Sequence, residues 1–161
     1  MKKKFSELPL RKGVGIILLN DENKVFVAKR IDNPKNFWQM PQGGIDEGED
    51  YYEAALRELK EETSVKSVEL IKEIDKKLTY ILPDHLIGII WKGKFKGQTQ
   101  KWFVMRFTGN ESEININTIK PEFLDWKWIN LDDLPKIAVK FKLEVYKNLK
   151  LRSIKNNIKL I

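Results

Sequence analysis

The stretch Gly43-Gly44-Ile45-Asp46-Glu47-Gly48-Glu49-Asp50-Tyr51-Tyr52-Glu53-Ala54-Ala55-Leu56-Arg57-Glu58-Leu59-Lys60-Glu61-Glu62-Thr63-Ser64-Val65 sets how the rest of the chain is read. Its glycine-rich start cannot carry a helix, but after Asp50 the composition turns to strong helix formers, among them Ala54, Ala55, Leu56 and Leu59. Asp50, followed three residues later by Glu53, has the chemistry of a helix start, so the spacing predicts a helix over residues 50–63. Glu58, Glu61 and Glu62 lie three and four residues apart and therefore share one face, while Tyr52, Ala55, Leu56 and Leu59 form an apolar stripe on another. Like charges at these spacings cost about 0.2–0.5 kcal/mol per pair in an isolated helix, a penalty that a divalent cation would reverse. Hard oxygen donors suit magnesium, with manganese or another divalent ion able to substitute. A merely solvated Glu-rich surface is the plain alternative.

Outward from this helix the pattern is mostly strand. Residues 13–19 form an apolar run, Asn20-Asp21-Glu22-Asn23 supplies turn chemistry, and Val25-Phe26-Val27-Ala28 resumes a strand, which together read as a hairpin. Phe37-Trp38-Gln39-Met40 could form a short strand between breakers. Residues 68–82 suggest one or two strands, and residues 98–108 another. In residues 124–129, Leu124, Trp126 and Trp128 alternate with polar residues and are expected to share a buried face. Ile137, Phe141, Val145 and Leu149 recur every four residues, the stripe of a C-terminal helix, beyond which the tail from about residue 152 is expected to fray. The whole chain, residues 1–161, therefore reads as a single α+β domain with two main helices.

The chain has 161 residues, enough to bury a core of its own. Thirty Lys and Arg stand against 23 Asp and Glu, a formal charge of +7 that favours polyanionic partners such as nucleotides or RNA. The absence of cysteine excludes thiol chemistry and any disulfide-linked partner, and His85 is the single histidine, so no Cys/His zinc site can be assembled. No apolar run approaches 18 residues and the N-terminus lacks a signal-peptide core, which implies no membrane partner and a cytoplasmic location.

Gly43, five residues, Glu49, seven residues, Arg57-Glu58-Leu59, one residue, Glu61-Glu62: such a set of six fixed matches arises by chance about once in 10⁷ starting positions at average composition. On these residues the sequence resembles the Nudix hydrolases. One position departs, since Ser64 stands where the family normally has glycine at the helix end, and a left-handed backbone there costs Ser about 1 kcal/mol more than Gly. The resemblance implies a Nudix fold, an α/β/α sandwich with a mixed sheet and a loop-helix-loop catalytic motif, that cleaves a nucleoside diphosphate linked to another moiety. It further implies that Glu58, Glu61 and Glu62 are metal ligands, joined by the Gly43 carbonyl, that Arg57 orients a ligand carboxylate, and that Glu49 organises the loop.

Further stretches, from Leu8 to Lys150, resemble the branch of bacterial RNA pyrophosphohydrolases and dinucleoside-polyphosphate hydrolases. They are Arg11-Lys12-Gly13-Val14-Gly15, Trp38-Gln39-Met40-Pro41-Gln42-Gly43-Gly44, Tyr80-Ile81-Leu82-Pro83, Gly97-Gln98-Thr99-Gln100-Lys101-Trp102-Phe103, Pro121-Glu122-Phe123 and Phe141-Lys142. This likeness implies Glu122 as a further metal ligand or base, Arg30 as a phosphate or RNA contact, and Phe141 with Lys142 as a pair that stacks on a base and contacts phosphate. Tyr80 could stack, Gln42 could hydrogen-bond a nucleotide and Lys101 could neutralise phosphate. Trp91, Trp102, Trp126 and Trp128 are read as packing residues, and His85 is assigned no chemistry. Expected substrates are 5′-triphosphate or 5′-diphosphate RNA ends, then diadenosine tetraphosphate or pentaphosphate; a third reading is a non-catalytic nucleotide or RNA sensor.

Overall fold

Val14 and the run Ile16-Ile17-Leu18-Leu19 are apolar on both alternating faces, a composition that a strand tolerates only when both sides of its sheet are covered. A computed structural model describes residues 5–32, 37–137, 142 and 147 and shows this cover. The elements are β1 (Leu10–Leu19), β2 (Val25–Arg30), β3 (Gln42–Gly44), α1 (Tyr51–Thr63), β4 (Val68–Glu73), β5 (Leu78–Ile81), β6 (Gly97–Phe107), β7 (Phe123–Ile129) and α2 (Leu134–Ile137), with short 3₁₀ turns between them. The strands form one mixed sheet ordered β4-β6-β1-β2-β7, in which β1 and β6 run parallel from Leu10↔Gly97 to Leu19↔Arg106. Both long strands divide their outer edges. β1 pairs β3 at Gly13–Gly15 and β2 at Leu19, and β6 pairs β5 at its start and β4 at its end.

Two cores follow from this sheet. Val14, Ile16, Leu18, Phe26, Phe103 and Met105 face α1, which seals them with Ala54, Ala55 and Leu59. The opposite face carries Ile17, Val25, Val27, Trp102 and Val104, covered by Leu82, Ile87, Leu131 and Leu134. The result is an α+β sandwich, as the sequence implied.

The hairpin, the two strands within residues 68–82 and the helix start are observed as expected; Asp50 Oδ1 accepts from the Tyr52 and Glu53 amides at 2.7 and 3.1 Å. Residues 37–40 make only a bridge, Ala28↔Gln39, and the adjacent strand is β3. In β7 the expected phase fails at one residue, because the pairing with β2 shifts between Lys29 and Arg30, a bulge that leaves Leu124 as the extra residue. Phe123 turns into the core in its place, and Leu124 is 57% exposed. Trp102 is fully buried, Trp126 and Trp128 pack on Phe26, and half-buried Trp91 receives the Arg11 guanidinium over its ring. Of the expected C-terminal stripe, Phe141, Val145 and Leu149 lie outside the described residues, as does the tail.

Candidate active site

α1 starts at the Asp50 cap and ends at Ser64, whose φ of 67° is the left-handed conformation that the motif's glycine would take without strain. The serine is compensated, since its Oγ donates to the Asn115 carbonyl at 2.8 Å while its amide donates to Lys60 O at 2.9 Å. Between these ends, Arg57 ties the loop to the helix. Its Nε and Nη2 donate to both Glu49 oxygens at 2.8 and 2.9 Å, Nη2 also reaches the Gly44 carbonyl at 2.9 Å, and Nη1 donates to Glu58 at 2.9 Å and Glu61 at 3.1 Å. Glu49 also accepts from the Asp46 amide, so that Arg57 first, and this amide second, hold it below the usual carboxylate range.

The three helix glutamates differ sharply in environment. Glu61 is more than half exposed, Glu58 is mostly buried, and Glu62 is 3% exposed, because Ala55, Leu59 and Glu62 fall on one stripe and dock together against the sheet. The sequence reading placed Glu62 only on the outward acid face; docking puts it in the wall between helix and sheet. Burial pushes the Glu58 carboxyl up to about 7 despite the opposing pull of Arg57, with Glu61 and Glu122 adding to the rise. Burial raises Glu62 well above its ordinary range, helped by Glu122 and Glu58 and opposed by Arg30. Glu62 Oε2 is buried with no hydrogen-bond partner among the described residues.

Among the described residues no three acidic or histidine side chains form a ready-made cation cage, because Glu58 and Glu61 are turned onto Arg57. The donor set nevertheless fits a hard cation. An orphaned, buried carboxylate oxygen needs a positive partner, and Gly43 leaves its carbonyl strand directly against Glu58: a Cβ there would stand 2.0 Å from Glu58 Cδ. The Gly43 carbonyl sits in the ladder opposite Val14 and also accepts from Gln98 Nε2 at 3.3 Å, which fixes its position beside Glu58. Glu122 is exposed just before β7 and acts electrostatically on Glu58, Glu62 and Arg30, so it belongs to the same cluster. Together Arg57, Glu58, Glu61, Glu62 and Glu122 line a groove of about 770 Å³ whose other wall is Thr118, Ile119 and Lys120.

The remaining expected residues divide. Arg30 ends β2 within the field of Glu122 and Glu62 and is bidentate to Asp32. Lys142 is buried, donates to Gln39 Oε1 at 3.0 Å and lies 5.8 Å from the Tyr80 ring; burial pushes its ammonium down to about 7, Arg30 adds to the fall, and Glu62 and Asp32 oppose it. Tyr80 is a core residue whose hydroxyl donates to Gln98 Oε1 at 2.9 Å, so its ring is enclosed instead of presented to a base. Gln42 accepts from Gln100 at 3.0 Å, and Lys101 is paired with Glu73 at 3.1 Å and the Asp75 carbonyl. Phe141 lies outside the described residues.

Two residues that the sequence reading gave no role also bear on the site. Gln98 supports Gly43 from β6, and the alternation that pairs it with Gln100 and Trp102 on one face could have signalled it. Arg11 lies so close to Gly44 that a Cβ there would meet its Nη2 at 2.5 Å, and it lines a second hollow of about 400 Å³ with Lys12 and Glu58.

Comparison with known proteins resolves the family. The model of the NUDIX domain matches residues 9–149. The chain belongs to the Nudix family. Among its Nudix relatives, the RNA pyrophosphohydrolase of Pelagibacter ubique is 66% identical over 143 residues, covering 89% of this chain and 90% of that protein. The RNA pyrophosphohydrolase of Afipia carboxidovorans is 47% identical over 151 residues, covering 89% and 91%. The solved structure of the E. coli dihydroneopterin triphosphate pyrophosphohydrolase shares the fold, with a TM-score of 0.67 at 20% identity over 90% of this chain and 99% of that one. Nudix hydrolases generally need divalent cations, in keeping with the carboxylate set described above. No helix among the described residues is long and apolar enough to cross a membrane.

Proposed function

We propose that this Nudix hydrolase converts 5′-triphosphate and 5′-diphosphate RNA ends to 5′-monophosphate. The observation that carries the reading is the juxtaposition of buried Glu62 and mostly buried Glu58 with the cations Arg30 and Lys142, acid for metal on one side and base for phosphate on the other. The relatives named RNA pyrophosphohydrolase support it, and a cytoplasmic setting suits a cysteine-free chain acting on RNA as one domain.

Glu58, Glu61, Glu62, Glu122 and the Gly43 carbonyl would hold a divalent cation, magnesium in first place, which when bound supplies charge neutralisation on the phosphates and activation of water. The chain's own groups do the rest. Arg57 fixes Glu58, Glu61 and the Glu49 loop relative to one another, so carboxylates that would otherwise repel stay convergent. Arg30, with its planar fork, and Lys142, a compact charge, receive phosphate oxygens beside the acid cluster. Tyr80, through Gln98, supports the Gly43 carbonyl, and Gln42 is held by Gln100, while Lys101 is engaged by Glu73 and the Asp75 carbonyl. In the net reaction water adds to phosphorus, a bridging P–O bond breaks, and pyrophosphate leaves a triphosphate end or orthophosphate a diphosphate end.

The test is turnover of 5′-triphosphorylated RNA, diadenosine tetraphosphate and ATP by the parent protein and by Glu58→Gln, with magnesium and with manganese. RNA should be preferred, and the variant should lose turnover by about 10² or more while remaining folded. Faster parental turnover of diadenosine tetraphosphate would replace the substrate assignment, and full activity in Glu58→Gln would remove the metal site from these residues. Binding without any turnover would make the protein a sensor.

A further inference from the structure

We propose that Asp32 is a resident counter-anion that occupies the phosphate-binding fork of Arg30 and sets how much negative charge a substrate must bring to displace it. Arg30 Nε donates to Asp32 Oδ1 at 2.8 Å and Nη2 donates to Oδ2 at 2.9 Å, so the carboxylate uses the two parallel donors with which an arginine grips phosphate. The pair stands at the end of β2, where the backbone amide of Ile31 donates to the Glu122 carbonyl at 2.9 Å, which places it on the rim of the acid cluster.

Position and exposure make the pair a placeholder, not a structural tie. Asp32 is two-thirds exposed and Arg30 about one-third, a setting in which an ion pair adds little to stability and exchanges readily. Its field reaches further than Arg30, since Asp32 and Lys142 also act on each other, so one carboxylate tempers both cations proposed to face the substrate. An RNA end or polyphosphate that enters must exchange its own oxygen for this carboxylate, and a group with more charge does so more easily. Asp32 would thereby act through Arg30 as a positioning and specificity residue. The inference rests on the proposed function, because it takes Arg30 as a substrate contact.

Asp32→Asn keeps the shape and removes the charge. The full chain and the variant are compared for kcat and KM on 5′-triphosphorylated and 5′-diphosphorylated RNA across a salt series. Binding of a fluorescent 5′-monophosphorylated oligonucleotide, which needs no turnover, is followed in parallel. The expected result is a KM and a dissociation constant lower by roughly twofold to fivefold, the range one exposed charge supplies, with a larger gain on the diphosphate end and kcat unchanged. The salt dependence of binding should steepen by about 0.7 in the log-log slope, since binding no longer trades one anion for another on Arg30. In an Arg30→Gln background, Asp32→Asn should have no further effect on either constant. Weaker binding in Asp32→Asn would overturn the proposal and make Asp32 a holder of Arg30, and an equal gain in the Arg30→Gln background would show a general charge effect. Because the binding arm runs on an oligonucleotide that is not turned over, an absence of RNA hydrolysis would count against the proposed function while leaving this inference decided by its own result.

Discussion

At the scale of single residues, the site depends on atoms that are absent as much as on those present. Gly43 has no Cβ, and the space it leaves is filled by the Glu58 carboxyl. Gly43→Ala should therefore push Glu58 off its 2.9 Å bond with Arg57 and reduce turnover by about 10², with an unchanged circular dichroism spectrum. Retained activity would mean that Glu58 works from another rotamer. Ser64 poses the converse case, a side chain where none is needed. Its left-handed backbone costs about 1 kcal/mol, and its bond to the Asn115 carbonyl returns a similar amount. Ser64→Gly should accordingly be near neutral in urea denaturation, whereas Ser64→Ala keeps the strain, loses the bond and should destabilise by about 1 kcal/mol. Equal stability of the Ala and Gly variants would contradict this balance.

At the scale of elements, α1 is where stability and activity oppose each other. Its inner stripe ends in a carboxylate that burial disfavours, so Glu62→Gln should raise the stability of the cation-free protein by about 0.5–2 kcal/mol while abolishing most turnover. Urea denaturation in chelator at pH 7.5 measures the first effect; a loss of stability would mean that Glu62 is compensated in the native state. The helix itself was legible in the sequence because its determinants are local: the Asp50 cap, the propensities and the carboxylate spacing all lie within residues 50–64. The depth of Glu62 was not, since the same wheel sets it beside Glu58 and beside Leu59, and only docking on β1 and β6 chooses. For the same reason Leu124 was misplaced, as the bulge that turns Phe123 inward exists only once β7 pairs with β2. Tyr80 likewise shows a usable ring in sequence, and its enclosure is decided by Gln98, a partner that belongs to another strand.

At the scale of the molecule, the buried acids should write themselves into the pH dependence of stability. Glu58 titrates near 7 in the native protein, and Glu62 well above the ordinary carboxylate range, against about 4.5 for both in the unfolded chain. Between about pH 5 and 7 the native state thus holds more protons than the unfolded one, and stability falls as pH rises. Asp32, paired with Arg30, Glu49, paired with Arg57, and Glu113, which accepts from the Ser67 side chain and the Ser67 and Lys66 amides, are held below their ordinary range and do not offset the slope, whereas Lys142, pushed down to about 7, opposes it only as pH nears 7. The Tm in chelator should drop from pH 5 to 7, and a divalent cation should restore more of it at pH 7 than at pH 5; a flat profile would mean that both carboxylates stay solvated. The parallel pairing of β1 with β6 adds a kinetic side. Its partners, such as Leu10 and Gly97, are about half the chain apart, so during synthesis α1 emerges before the sheet that buries it can close. The acidic cluster is assembled only once this long loop has closed, so its carboxylates stay hydrated in the unfolded chain. A cation held there should slow unfolding and leave the refolding rate unchanged in stopped-flow measurements.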